Sequence, residues 1–153
     1  VNWDSVPYCK CSDKDYKSNK LSKGDIVFAR TGASTGATYL IKENVDAVFA
    51  SYLIRMKLSQ NILPEYVDYF FKSKLYWNQV GSTIAGSAQG GINSTNLSKL
   101  YITLPSLEKQ KEIVFKLNKL KEDMDNLTNH MKTLKNIRNK LSNEILSGNQ
   151  RLD

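Results

Sequence analysis

Cysteine and histidine are scarce in this sequence, and each shortage excludes a class of site. The 153 residues include two cysteines, Cys9 and Cys11, and one histidine, His130. Structural zinc sites use about four Cys or His ligands, so we expect no zinc and interpret the C-x-C pair as reduced thiols of a reducing compartment. Nucleophilic triads need a positioned base, usually histidine, so we expect no hydrolytic catalysis.

Long hydrophobic runs are also missing. No stretch approaches the roughly 18 apolar residues that a membrane-spanning helix requires, and the first residues lack the basic and apolar regions of a secretory signal. The sequence therefore predicts a cytoplasmic protein without membrane association, with one globular domain and an appendage. The chain starts with Val1, which favours a processed product or a fragment of a longer protein.

Positive charge is in excess, with 22 Lys and Arg against 15 Asp and Glu, or +7 overall. Lysines recur every three or four residues near the start, at a density suited to contacts with DNA phosphates. An ordinary solvated, lysine-rich surface is the alternative. These lysines are Lys10, Lys14, Lys17, Lys20 and Lys23.

The short motifs that accompany catalysis are incomplete. The glycine-rich segment Thr31–Ala37 lacks the Gly-Lys-Ser/Thr of a phosphate-binding loop and the spacing of a dinucleotide loop. Asp15-Tyr16-Lys17 has the form of a nuclease Asp-x-Lys but no preceding Pro-Asp. We therefore predict a tight turn and surface charge at these positions, with no catalytic residue, no metal and no cofactor.

Hydrophobic periodicity predicts an α+β fold before Pro105, a small mixed or antiparallel sheet with one packed helix. In that helix, Val67, Phe70, Phe71 and Leu75 share one face. A surface loop is expected over 81–98, since it is rich in Gly, Ser, Thr and Asn. The predicted strands cover 25–30, 38–41, 47–49, 52–56 and 100–104, and the predicted helix covers 64–80.

A long helix is expected over 106–147, because Ser106 can cap it and neither Gly nor Pro occurs until Gly148. Its apolar residues alternate in steps of four and three, as in a coiled coil, with Arg138 in one seam position. A partner helix is predicted, the alternative being a helix folded back on its own domain. The predicted domains are 1–105, 106–147 and a tail, 148–153. The seam residues are Ile113, Leu117, Leu120, Met124, Leu127, Met131, Leu134, Leu141 and Ile145.

Two glycine-rich loops carry the side chains best suited to reading DNA. Arg, Asn and Gln can form paired hydrogen bonds with base edges, and Ser and Thr can reach phosphates. The alternative is that these polar groups only satisfy the backbone of turns. With Lys17, Lys20 and Lys23, the predicted DNA-binding residues are Arg30, Thr31, Ser34, Thr35, Ser87, Gln89, Asn93 and Ser94.

The segment 22–36 reads Ser-Lys-Gly-Asp-Ile-Val-Phe-Ala-Arg-Thr-Gly-Ala-Ser-Thr-Gly. This segment and two others resemble type I restriction-modification specificity subunits. The segment 22–36 is similar to the "GDI-(apolar)-F-x-R-x-G-A-x-x-G" element of their target recognition domains. Residues 85–93 are similar to a "G-(S/T)-x-Q-x-x-I" loop, and 104–110 to the "P-P-L-x-E-Q" junction that opens a spacer helix. The chain departs from the last pattern at Ser106 and Lys109.

The resemblance implies a non-catalytic recognition subunit that binds double-stranded DNA, DNA methyltransferase subunits and a restriction and translocase subunit. It also implies that the long helix pairs antiparallel with a second specificity-type helix, in a homodimer or within a longer chain. The seam residues, together with Pro105, Leu107 and Gln110, would then be partner-binding. Alternatives are a coiled-coil interaction module whose α/β head docks another protein, or a stand-alone DNA enzyme.

Overall fold

The structure, a computed structural model, describes residues 1–85 and 91–148. Contacts divide the chain into two compact units, Val1–Lys111 and Glu112–Asp153. The first turn of the long helix therefore belongs with the first unit. The domain boundary at Pro105 stays a prediction.

A small antiparallel sheet forms the centre of the first unit, as the α+β prediction requires. Within the described residues its strands are β1 (Ile26–Ala29), β2 (Thr38–Leu40) and β3 (Leu53–Met56), in the order β2-β1-β3. The strand predicted over 47–49 is wrong, because Val48 forms only an isolated bridge with Lys20.

Both faces of the sheet are covered by apolar side chains. Alternate residues of a strand point to opposite faces, and accordingly Ile26 and Phe28 join one buried cluster while Val27 joins another. The first cluster includes residues of the helices that follow the sheet. The second is completed by Leu21, Ile41 and partly buried neighbours such as Trp3.

The helix predicted over 64–80 is two helices, α2 (Pro64–Phe71) and α3 (Lys74–Ala85). The break changes which residues face the core: Leu75 is 70% exposed, while Tyr76 and Val80 are buried. Leu75 was therefore wrongly placed on the apolar face, because the helical period does not continue across a break. The other helices before the long one are α1 (Asp13–Asn19) and α4 (Ser94–Leu97), and a 3-10 turn covers Trp3–Ser5.

The strand predicted over 100–104 is also wrong, because side chains take the place of a neighbouring strand. The Gln79 amide accepts a hydrogen bond from the Tyr101 N–H at 2.8 Å and donates one to the Tyr101 carbonyl at 3.0 Å. The Tyr66 hydroxyl donates to the Thr103 carbonyl at 2.7 Å. Backbone groups of this segment are thus satisfied by helical side chains.

The long helix, α5 (Leu107–Leu146), confirms the prediction of 106–147 to within one residue at each end. It ends where Gly148 adopts a φ of +75° and its amide donates to the Ile145 carbonyl at 3.1 Å. Ion pairs four residues apart, such as Glu112 with Lys116 at 2.7 Å, lie along its surface. Among the residues described, no helix is both long and apolar enough to cross a membrane.

Candidate nucleic-acid interface

The Gly24-Asp25 turn sets the start of β1. Gly24 has a φ of +91°, and its N–H donates to the Ile41 carbonyl at 2.8 Å. The buried Asp25 carboxylate accepts a hydrogen bond from the Ser22 N–H at 3.0 Å. These contacts give Gly24 and Asp25 a structural role, because they fix the start of β1. Arg30 directly follows the other end of that strand.

The glycine-rich loop after β1 is the tight turn that the sequence predicts. Gly32 and Gly36 have φ values of +81° and +86°, which residues with a Cβ rarely adopt. The Thr35 hydroxyl donates to the Gly32 carbonyl at 2.7 Å, so this side chain stabilises the turn. Thr31 and Ser34 are exposed on the same loop.

A buried tyrosine hydrogen-bonds the backbone of this loop. The Tyr76 hydroxyl, on α3, donates to the Gly36 carbonyl at 2.6 Å, and the residue is fully buried. Burial raises the pKa of Tyr76 to about 12, so the hydroxyl keeps the proton that it donates. A Cβ on Gly36 would lie 2.7 Å from Cγ1 of Val80, so the loop packs directly on α3.

Arg30 joins three segments of the chain. Its N–H donates to the Tyr52 carbonyl at 3.0 Å, and its carbonyl accepts from the Ile92 N–H at 2.9 Å. Its guanidinium also donates to the Ser51 carbonyl at 3.2 Å. The first loop, the turn before β3 and the segment before α4 therefore meet at one exposed arginine.

The surface loop predicted over 81–98 is wrong at both ends, because α3 continues to Ala85 and α4 covers Ser94–Leu97. The described residues between these helices, 91–93, lie beside the first loop. Ile92 is buried and Asn93 and Ser94 are exposed. The Asn93 side chain accepts from the Asn96 N–H at 2.8 Å, as the cap of α4, so its carbonyl oxygen has a structural role. Ser87 and Gln89 lie outside the described residues.

The predicted phosphate-binding lysines differ in their surroundings. Lys17 and Lys23 are exposed. The Lys20 ammonium donates to the Tyr16 hydroxyl at 2.7 Å and lies 3.9 Å from Asp46. The hydrogen bond to Tyr16, helped by Asp46, raises the pKa of Lys20. Lys20 is therefore already engaged within the chain, whereas no such contact defines a structural role for Lys17 or Lys23.

The two cysteines are free and exposed. Partial desolvation, with Cys9 and nearby carboxylates, raises the pKa of the Cys11 thiol, so that thiol stays protonated at neutral pH. Within 1–85 and 91–148, no group of three or more His, Cys, Asp or Glu side chains is arranged to hold a metal ion.

Two residues at the meeting point, Ser51 and Tyr52, were missed as site residues. The sequence places Tyr52 at the start of a strand, and nothing local shows that the turn before it lies beside Arg30. One signal was available: the segments 29–41, 47–54 and 91–99 contain no Asp or Glu, although the chain has 15. Such segments present no negative charge of their own to a polyanion.

The predicted partner-binding residues fall into three groups by exposure: one buried, four half-buried and seven exposed. Gln110 is 1% exposed, and its amide binds within the first unit: it accepts from the Leu63 N–H at 2.8 Å and donates to the Pro105 carbonyl at 2.9 Å. Pro105, Leu107, Ile113 and Leu117 are half-buried. The remaining seam residues are 37% to 67% exposed: Leu120, Met124, Leu127, Met131, Leu134, Leu141 and Ile145.

Comparison with known proteins yields a consistent set of similarities. A family model described as "Type I restriction modification DNA specificity domain" matches residues 8–145. The chain is 29% identical over 126 residues to the type I restriction enzyme EcoKI specificity subunit of Escherichia coli strain K12, covering 78% of this chain and 27% of that protein. It is 26% identical over 134 residues to the StySPI specificity subunit of Salmonella potsdam, covering 86% and 29%. The chain thus spans less than a third of these relatives.

Proposed function

The chain belongs to the family of type I restriction modification DNA specificity domains, and from this premise we propose that it is a non-catalytic DNA-recognition module. Its loops read one part of a site in double-stranded DNA, and it recruits the methyltransferase and restriction subunits that perform the chemistry. The observation that carries the proposal is that the described end of the second predicted recognition loop, at Ile92, meets the first loop at the exposed Arg30.

The residues at this meeting point have complementary roles in the proposal. Arg30 reads a base, because a guanidinium can donate two parallel hydrogen bonds to guanine. Thr31 and Ser34 bind phosphates through their exposed hydroxyls. The rigid support from Tyr76 and β1 suits such reading, since a pre-organised loop loses little conformational entropy on binding. Lys17 and Lys23 add phosphate contacts, which makes affinity fall steeply with salt.

The exposed seam of α5 binds a second specificity-type helix, in another copy or elsewhere in a longer chain. Burying an exposed Leu or Met side chain contributes about 1.5–3 kcal/mol of favourable free energy. The exposed seam residues therefore favour association with a partner helix. The half-buried Pro105 and Leu107 lie at the start of this helix, where we place the contact with methyltransferase subunits.

Site-restricted methylation tests the proposal. The chain is combined with DNA methyltransferase subunits, and methylated adenines are mapped on a library of duplexes. We expect methylation confined to one sequence pattern, and for Arg30→Ala weaker binding and a relaxed preference at one position of that pattern. Arg30→Lys is the matched control: it keeps the charge but not the planar pair of donors, so it should retain binding and relax specificity. Adenine methylation without any sequence restriction in every pairing would contradict the proposal.

A protein-interaction module is the second candidate, favoured by the exposed seam alone. In that case, charge substitutions at Leu120, Leu127 and Leu134 would abolish function, while Gln89→Ala and Asn93→Ala would leave it intact. In a DNA-recognition module, both sets of changes impair site-restricted methylation.

A further inference from the structure

An aromatic side chain occupies the apex of a tight turn beside Arg30. The Leu53 N–H donates to the Ala50 carbonyl at 2.9 Å, which closes a turn over Ala50–Leu53 with Ser51 and Tyr52 at its centre. Small polar residues and glycine are usual at the centre of such turns. Tyr52 is 62% exposed, and since no described non-glycine residue has a positive φ, an unusual backbone conformation does not account for it.

Arg30 fixes this turn in place. The Tyr52 carbonyl accepts the Arg30 N–H at 3.0 Å, and the Ser51 carbonyl accepts the Arg30 guanidinium at 3.2 Å. The turn is thus held next to the first recognition loop by the same residue that holds the second.

The surroundings suit an anionic ligand with apolar surface. The turn and both loops lie in segments without Asp or Glu. A tyrosine ring offers a large contact area with few rotatable bonds, so ordering it on binding costs little. In duplex DNA, the thymine methyl group and the sugars supply apolar surface between the phosphates.

We infer that the Ala50–Leu53 turn is a third DNA-contacting loop, in which the Tyr52 ring packs against the duplex beside the base pair that Arg30 reads. This inference rests on the proposed function and adds a residue that reads DNA shape or a methyl group rather than hydrogen-bonding groups. Arg30 holds the Ala50–Leu53 turn in position, so the Tyr52 and Arg30 side chains act on adjacent positions of one DNA site.

Three tyrosine variants test the ring contact in the chain assembled with DNA methyltransferase subunits. We expect Tyr52→Ala to weaken binding to a cognate duplex about tenfold, as removing an interface aromatic commonly does, and to relax the preference at one position next to that changed by Arg30→Ala. Tyr52→Phe keeps the ring and should bind like the unaltered chain. Tyr8→Ala, at another exposed tyrosine, is the matched control and should have no effect. Thermal unfolding verifies that all variants are folded.

The outcomes separate this inference from the proposed function. Binding and specificity unchanged in Tyr52→Ala, with both reduced in Arg30→Ala, would overturn the third loop and leave the recognition module intact. An equal loss in Tyr52→Phe and Tyr52→Ala would show that the hydroxyl, not the ring, makes the contact. If neither Arg30→Ala nor Tyr52→Ala altered an otherwise site-specific assembly, the reading surface itself would be refuted.

Discussion

At the scale of single residues, the glycine-rich loop after β1 depends on one buried hydroxyl. Tyr76 is the side chain from α3 that hydrogen-bonds the loop backbone at Gly36. Replacing it with Phe keeps the ring but leaves that carbonyl without its donor. We expect Tyr76→Phe to lower the free energy of unfolding by about 1–2 kcal/mol in urea titrations at neutral pH. An unchanged midpoint would contradict this role.

The same residue predicts a difference at alkaline pH. The pKa of Tyr76 is about 12 in the folded chain, against about 10 in an unfolded one. Its stabilising effect is therefore complete below pH 10 and is lost as pH rises from 10 to 12, where the unfolded chain has already released the proton. Stability of the unaltered chain should fall more steeply over this window than that of Tyr76→Phe. Parallel curves would refute the assignment.

Gly36 and Gly32 form a matched pair, because both have positive φ but only one is crowded. A Cβ at Gly36 meets Val80 at 2.7 Å, whereas a Cβ at Gly32 meets nothing within 4 Å. We expect Gly32→Ala to cost about 1–2 kcal/mol of backbone strain, and Gly36→Ala to cost about 1–3 kcal/mol more from overpacking. Thermal unfolding of the two variants checks the order. Equal losses would mean that the loop does not pack on α3 as described.

At the scale of elements, Gln110 connects the first turn of α5 to the segment before α2. Its buried amide accepts from the Leu63 N–H and donates to the Asn61 carbonyl at 3.3 Å and the Pro105 carbonyl. This local role explains its burial without any partner chain, and a role in partner binding stays a prediction.

Truncating that amide should destabilise the first unit. We expect Gln110→Ala to lower the free energy of unfolding by about 1–3 kcal/mol, since buried backbone groups are left unsatisfied. Gln60→Ala, at an exposed position, should change it by less than about 0.5 kcal/mol. Urea titration of both variants measures these free energies of unfolding. A similar change in the two would show that the Gln110 hydrogen bonds contribute little to stability.

At the scale of the whole molecule, the seam of α5 predicts association. Leu127 lies within the exposed stripe, and Asn129 is an exposed polar residue of the same helix outside it. We expect Leu127→Glu to weaken association about a hundredfold or more. The leucine is no longer buried, and the glutamate places a hydrated charge in the apolar interface. Asn129→Glu, with the same added charge, should associate normally.

Mass measurements over a range of concentrations, with and without methyltransferase subunits, check this expectation. The unaltered chain should form a complex in at least one of these conditions. A chain that stays monomeric in all of them would contradict the predicted seam.

Local sequence patterns determined the long helix and the tight turns of this protein. The seven-residue spacing and the lack of Gly and Pro between Ser106 and Gly148 specified α5, since helix formation depends on neighbours three and four residues apart. Glycines at positions 24, 32 and 36 specified the turns, because glycine readily adopts the positive φ that these turns require.

Only the tertiary structure decided how these parts meet. Arg30 contacts Tyr52 and Ile92, and Gln79 replaces a strand partner for Tyr101. Each contact joins residues that are distant in sequence, so no local periodicity could reveal it. From the sequence alone, two loops were predicted to read DNA, and this stays a prediction. Packing around Arg30 decided that described residues of both loops lie side by side.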